Sequence, residues 1–177
     1  MNQIFMQEAL ILAKSAAELG ETPVGCVIVR QGEIIARGMN HRETDKTALG
    51  HAEIAAISEA CRVLNGWRLW ECELYVTLEP CPMCMGAIIN ARIPKVYFGA
   101  SDAKNGAAGS VFNLAEARFS HKPEITGGIL AEECAEVLRD FFKALRNGEV
   151  KSSSADWHKK KQTEKVEKHV DSAKSMC

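Results

Sequence analysis

The chain has 177 residues, 46% hydrophobic, 25% charged and 6% aromatic, the make-up of one ordinary globular domain able to bury roughly two-thirds of its unfolded surface. Thirteen glycines, five prolines and the lack of sustained heptads exclude collagen-like, mucin-like and coiled-coil chains. With 22 Lys and Arg against 23 Asp and Glu the formal charge is -1, so there is no global basic footprint for nucleic acid or an anionic membrane.

The balance shifts along the chain: residues 1–146 carry -3 and residues 147–177 carry +2. The apolar stretch from Ile4 to Ala13 is broken by Gln7 and Glu8, so neither a membrane span nor a signal peptide is expected. The seven cysteines have no disulfide rhythm, which fits a reducing cytoplasm where clustered cysteines bind metal more often than each other.

In chain order, Phe5, Ala9, Leu12, Ala13, Ala16 and Leu19 mark a first helix over residues 3–19, stopped by Gly20. Two β-branched runs, 24–29 and 33–36, flank Arg30-Gln31-Gly32 and read as a hairpin with one central strand. A helix is expected over 52–64, a strand over 73–78, a helix over 82–92 and a strand over 96–98. The strand-helix-strand order predicts a parallel crossover pair. A short strand over 125–130 and a closing helix bearing Cys134, Leu138, Phe141, Phe142 and Leu145 complete a three-layer α/β/α fold around a mixed sheet of about five strands. One domain over residues 1–146 is expected, with residues 147–177 as a polar tail, frayed helix or disordered segment.

Two short motifs carry chemistry: His51-Ala52-Glu53 and Pro80-Cys81-Pro82-Met83-Cys84, each opening a helix. Proline favours the first helical position, so Pro82 puts Cys81 at the N-cap and Cys84 in the same first turn, where the helix terminus favours thiolates. With His51 as third ligand, an N and S donor set of three leaves one tetrahedral position open, the pattern of a catalytic zinc, one Zn2+ per chain. Glu53 is then placed as a proton shuttle, since two thiolates already balance the divalent charge.

Rival readings use fewer of these residues. A thioredoxin-like redox pair leaves His51 and Glu53 idle, and a structural zinc knuckle needs a fourth ligand, for which Cys72 is the nearest spare. Cys26, Cys61 and Cys134 lie in apolar runs and read as small core residues.

At these motifs the chain resembles the cytidine deaminase superfamily of zinc-dependent deaminases, and from Met6 to Arg146 it is similar to the bacterial tRNA-specific adenosine deaminases. The resemblance extends through Thr22-Pro23-Val24-Gly25, Gly38-Met39-Asn40, Thr77-Leu78-Glu79-Pro80, Ser101-Asp102-Ala103-Lys104, Gly106-Ala107-Ala108-Gly109-Ser110 and Asp140-Phe141-Phe142. It implies a cytidine-deaminase-like fold, a homodimer, and conversion of the wobble adenosine of a tRNA anticodon to inosine with release of ammonia.

By position, the resemblance assigns zinc to His51, Cys81 and Cys84, proton transfer to Glu53, the flipped base to Asn40 and orientation of the nucleotide to Asp102. Asn40 and Asp102 read equally as turn residues. Phe141 and Phe142 would offer stacking surface to the anticodon loop, with Lys143 and Arg146 facing phosphates, although helical spacing puts at least one phenylalanine in the core. The cluster Lys159-Lys160-Lys161 adds charge to the tail. Ala48-Leu49-Gly50 departs from the family's run into the histidine, and the acidic body leaves open a deaminase of a free nucleobase or nucleoside.

Overall fold

The computed structural model describes residues 2–150; the expectation for the tail falls outside these from residue 151 onward, Lys159-Lys160-Lys161 included. The elements are α1 (Asn2–Glu18), β1 (Gly25–Arg30), β2 (Glu33–Met39), α2 (Arg42–Asp45), α3 (Ala52–Val63), β3 (Cys72–Leu78), α4 (Pro82–Asn90), β4 (Lys95–Ala100), a 3-10 turn (Leu114–Glu116), β5 (Glu124–Thr126) and α5 (Ala131–Arg146). The five strands form one sheet in the order β2-β1-β3-β4-β5. β1 is antiparallel to β2 and β3, while β3, β4 and β5 run parallel.

Alternation along the strands builds two cores. Cys26, Ile28, Leu74, Val76, Val96 and Phe98 face α3 and α4. Val27, Val29 and Tyr75 point the other way, against Phe5, Met6, Ala9 and Leu10 of α1 and Cys134 of α5. β1 and β3 are covered on both faces and are apolar except at Arg30, Glu73 and Thr77, as central strands between two helical layers require. The result is the three-layer α/β/α arrangement with a mixed sheet.

The hairpin between β1 and β2 turns at Gln31 and Gly32, whose φ values of 54° and 81° match a turn with two left-handed residues that fits the strand twist. Two glycines set how closely helices approach this hairpin. A Cβ on Gly25 would lie 2.0 Å from the Ala9 carbonyl oxygen of α1, and one on Gly38 would lie 2.2 Å from the Ala52 carbonyl oxygen of α3. In register they are diagonal neighbours, Gly25 opposite Met39 and Cys26 opposite Gly38, so each glycine serves a different face. The buried small residues Ala52, Ala56 and Ala60 complete the close contact of α3.

Two sequence expectations are corrected, and one element is added to them. Leu19 lies beyond the end of α1 and is 61% exposed, while Met6 and Leu10 join the buried stripe instead. β5 is shorter than residues 125–130: it ends at Thr126, before Gly127 and Gly128, the latter at φ 86°, and a Cβ on Gly127 would strike the Phe98 ring at 2.4 Å. α2 is a four-residue helix with no periodicity to reveal it in the sequence.

Because Gly38 lies under the turn of α3 that follows His51, Gly38→Ala is expected to force that helix outward. It should lower stability by about 1–3 kcal/mol, read as a drop in denaturant midpoint at unchanged slope.

Candidate metal centre

The chain ends that leave β2, β3 and β4 meet at one edge of the sheet, beside the point where β1 reverses the strand direction, the crevice where open α/β sheets bind ligands. A cavity of about 670 Å³ lies there, and its lining includes His51, Glu53, Cys81, Asn40, Asp102 and Phe142.

His51 and Cys81 each occupy the N-cap position of a helix, α3 and α4, with extended backbone and no side-chain cap hydrogen bond. Their side chains are therefore free of the backbone, and Pro82 at the start of α4 fixes the exit of Cys81. His51 Nδ1 stands 3.4 Å from Cys84 Sγ and 3.7 Å from Cys81 Sγ. Zinc bonds of about 2.0–2.1 Å to nitrogen and 2.3 Å to sulfur in a tetrahedron require nitrogen-sulfur separations of about 3.5 Å, so the three ligands fit zinc as they stand. Among the described residues they form the one group of three metal-binding side chains, and Glu53 is not part of it.

The electrostatics suit a cation. The Cys81 thiol is drawn down to about 4 by a hydrogen bond from Cys84, with His51 adding to the effect. Cys84 is pushed up, first by that same shared hydrogen bond and then by burial, and the hydrogen bond that His51 donates to Cys81 raises His51. Protons thus hold together a cluster whose metal-binding forms are deprotonated, and a divalent ion takes their place. Glu53 is 4% exposed, and burial raises its carboxyl above the usual carboxylate range.

Two further buried carboxylates, to which the sequence assigned no role, organise the walls. Glu21 is fully buried and accepts hydrogen bonds from Asn40 Nδ2 at 3.0 Å and from the backbone N–H groups of Glu43 and Thr44 at 3.2 and 2.6 Å. A carboxylate accepts only, so it fixes which way the Asn40 amide faces. Glu79 accepts from the N–H groups of Asp102, Ala108 and Ser110 and from the Ser110 hydroxyl. Burial works to raise its pKa, but these hydrogen bonds outweigh it and hold Glu79 below the ordinary value.

Asp102 lines the cavity and also closes its own turn, its Oδ1 accepting from the N–H groups of Lys104 and Asn105 at 2.9 and 3.1 Å. Phe141 is 6% exposed and packs edge-on against Phe142 at 5.4 Å, so the expected pair of stacking rings reduces to Phe142, which is 40% exposed and lines the cavity. Lys143 and Arg146 are exposed on α5 outside the cavity lining, whereas the cations that do line it are Arg42 and Lys104, which the sequence did not single out.

Protein prepared without chelators is expected to hold about one zinc per chain by elemental analysis. Cys81→Ala should lose the metal and part of the fold's stability together.

Comparison with known proteins agrees with this centre. Residues 1–100 match the family described as the cytidine and deoxycytidylate deaminase zinc-binding region. The chain is 51% identical over 146 residues to the tRNA-specific adenosine deaminase of Bacillus subtilis (strain 168), covering 82% of this chain and 91% of that one. Its structure is similar to one from a study of A-to-I editing by tRNA:A34 deaminases, with TM-score 0.73 and 44% identity over 76% of this chain and 98% of that chain. It is also similar to the guanine deaminase of Bacillus subtilis, with TM-score 0.55 and 36% identity over 81% and 92%. The chain belongs to the zinc-binding cytidine and deoxycytidylate deaminase family and, within it, to the group of the tRNA-specific adenosine deaminases.

Proposed function

We propose that this chain deaminates the wobble adenosine of a tRNA anticodon to inosine, consuming water and releasing ammonia. The observation that carries the reading is the joint one: half-identity to a tRNA-specific adenosine deaminase over nearly its whole length, with the His51, Cys81 and Cys84 cluster intact. His51, Cys81 and Cys84 would hold the zinc, which when bound would supply Lewis acidity to make water a nucleophile near neutral pH.

Glu53 takes one proton from water at its buried carboxylate and passes it to the ring nitrogen N1 as hydroxide adds at C6; it then takes the proton of the new C6 hydroxyl and gives it to the amine, which leaves as ammonia while the C6 carbonyl forms. A carboxyl with a raised pKa suits both halves of this task. Asn40, held by Glu21, aligns the edge of the base, and Asp102 shapes the wall beside the nucleotide.

A flipped base fills only part of a 670 Å³ cavity, leaving room at the mouth for flanking nucleotides. There Phe142 offers a ring for stacking and Arg42 and Lys104 offer charge to phosphates. The substrate lies in an already unpaired loop, which keeps the cost of extruding the base low. Lys143 and Arg146 extend the positive edge along α5.

The deaminase domain on this reading is residues 1–146, acting in the cytoplasm as a homodimer, and no helix among the described residues is long and apolar enough to cross a membrane. Partly exposed Met83, Gly86 and Ala87 of α4 and exposed Val111 and Phe112 are apolar surface available to a second copy.

Glu53→Ala is expected to retain zinc while losing about 10²- to 10⁴-fold in turnover. Incubation with an adenosine-34 tRNA stem-loop, guanine, cytosine, adenine and their nucleosides decides the substrate. Inosine in the RNA is the expected result, and ammonia from the small molecules alone would reject the RNA assignment in favour of a free purine or pyrimidine.

A further inference from the structure

We propose that Glu79 is a positioning residue that suspends the substrate-facing wall, residues 101–110, from the strand end that delivers Cys81 to the metal. The inference rests on the deaminase reading above. It starts from an expensive feature: Glu79 is 2% exposed, and no basic side chain among the described residues forms an ion pair with it. A buried carboxylate without a cation persists only where hydrogen-bond donors fill its lone pairs.

All four donors come from one segment. The N–H groups of Ala108 and Ser110 reach Oε1 at 3.0 and 2.9 Å, while the N–H of Asp102, at 3.0 Å, and the hydroxyl of Ser110 reach Oε2. The segment wraps so closely that a Cβ on Gly106 would sit 2.4 Å from the Glu79 carboxylate. The backbone reinforces the same junction: Glu79 N–H donates to Ala100 and Ala107 N–H to Pro80, at 2.8 and 2.9 Å.

The first half of the clamped segment is the wall, since Ser101, Asp102, Ala103, Lys104 and Asn105 line the cavity beside Glu79, and residues 106–110 lie behind it as its anchor. Asp102 passes the constraint on, its backbone held by Glu79 while its side chain holds the N–H groups of Lys104 and Asn105. Two residues further along from Glu79 stands Cys81, so one short stretch sets both the metal ligand and the opposing wall. A clamp of this kind acts on how well substrate is held, because the wall borders the mouth and supplies no group to the metal cluster.

Glu79→Gln keeps the shape but turns one oxygen into an amide that must face N–H donors. The variant is expected to hold one zinc per chain. KM for the stem-loop should rise about tenfold with kcat within about threefold, and amide hydrogen exchange should accelerate at Asp102, Ala108 and Ser110 while α1 and α3 are unchanged. Ser110→Ala, which removes a single donor, should raise KM about two- to threefold.

Wild-type KM and exchange in Glu79→Gln would overturn the proposal, as would loss of zinc or a fall in kcat at unchanged KM. If Glu79→Gln does not fold, Ser110→Ala decides alone, and wild-type KM with unchanged exchange at Ala108 would overturn the clamp. A wild-type chain inactive on the stem-loop refutes the substrate reading instead, and the exchange measurement still decides the clamp.

Discussion

The separation between one imidazole nitrogen and two sulfurs, 3.4 and 3.7 Å, is the constraint on which the rest of the molecule depends. Neither distance is local, because 30 or more residues separate His51 from the cysteines. They meet because α3 and α4 lie on the same face of the sheet and begin at the same edge, so that two helix N-termini converge. The close seat of α3 on Gly38 and the burial of Met85 and Ile88 of α4 thus set bond lengths at the metal as well as stability.

Around this centre the protein buries three carboxylates, Glu21, Glu53 and Glu79, within a domain of modest size. Each would be costly alone. Glu21 and Glu79 are stabilised by backbone N–H groups, and each in doing so fixes a stretch of cavity wall: Asn40 and α2 on one side, residues 101–110 on the other. Glu53 lacks such a dense set and its carboxyl is raised, the state suited to exchanging protons. Similar residues in similar burial therefore divide into two whose lone pairs are filled by donors of the cavity wall and one whose carboxyl is left raised.

The metal ligands were legible in the sequence because their signal is local: Pro82 fixes the N-cap of α4 and puts Cys84 in its first turn. The buried strands were legible because β-branched runs are short and bounded by turns. Glu21 and Glu79 were not, since a lone carboxylate beside a turn looks like surface charge until folding brings its donors from 19 to 31 residues away. Arg42 and Lys104 were missed for a related reason, as a four-residue helix and a turn carry no period that says which way they face. Phe141 and Phe142 differ by one step around a helix, so which ring reaches the cavity was settled only by the seating of α5.

X-ray absorption at the zinc edge of the purified protein tests the account most directly, because it reads the donor set without reference to substrate. The account predicts two sulfur neighbours at about 2.3 Å and lighter neighbours at about 2.0–2.1 Å, one of them His51. Three or four sulfur neighbours would mean that a further cysteine such as Cys72 closes the site, and a structural rather than catalytic zinc would contradict the account.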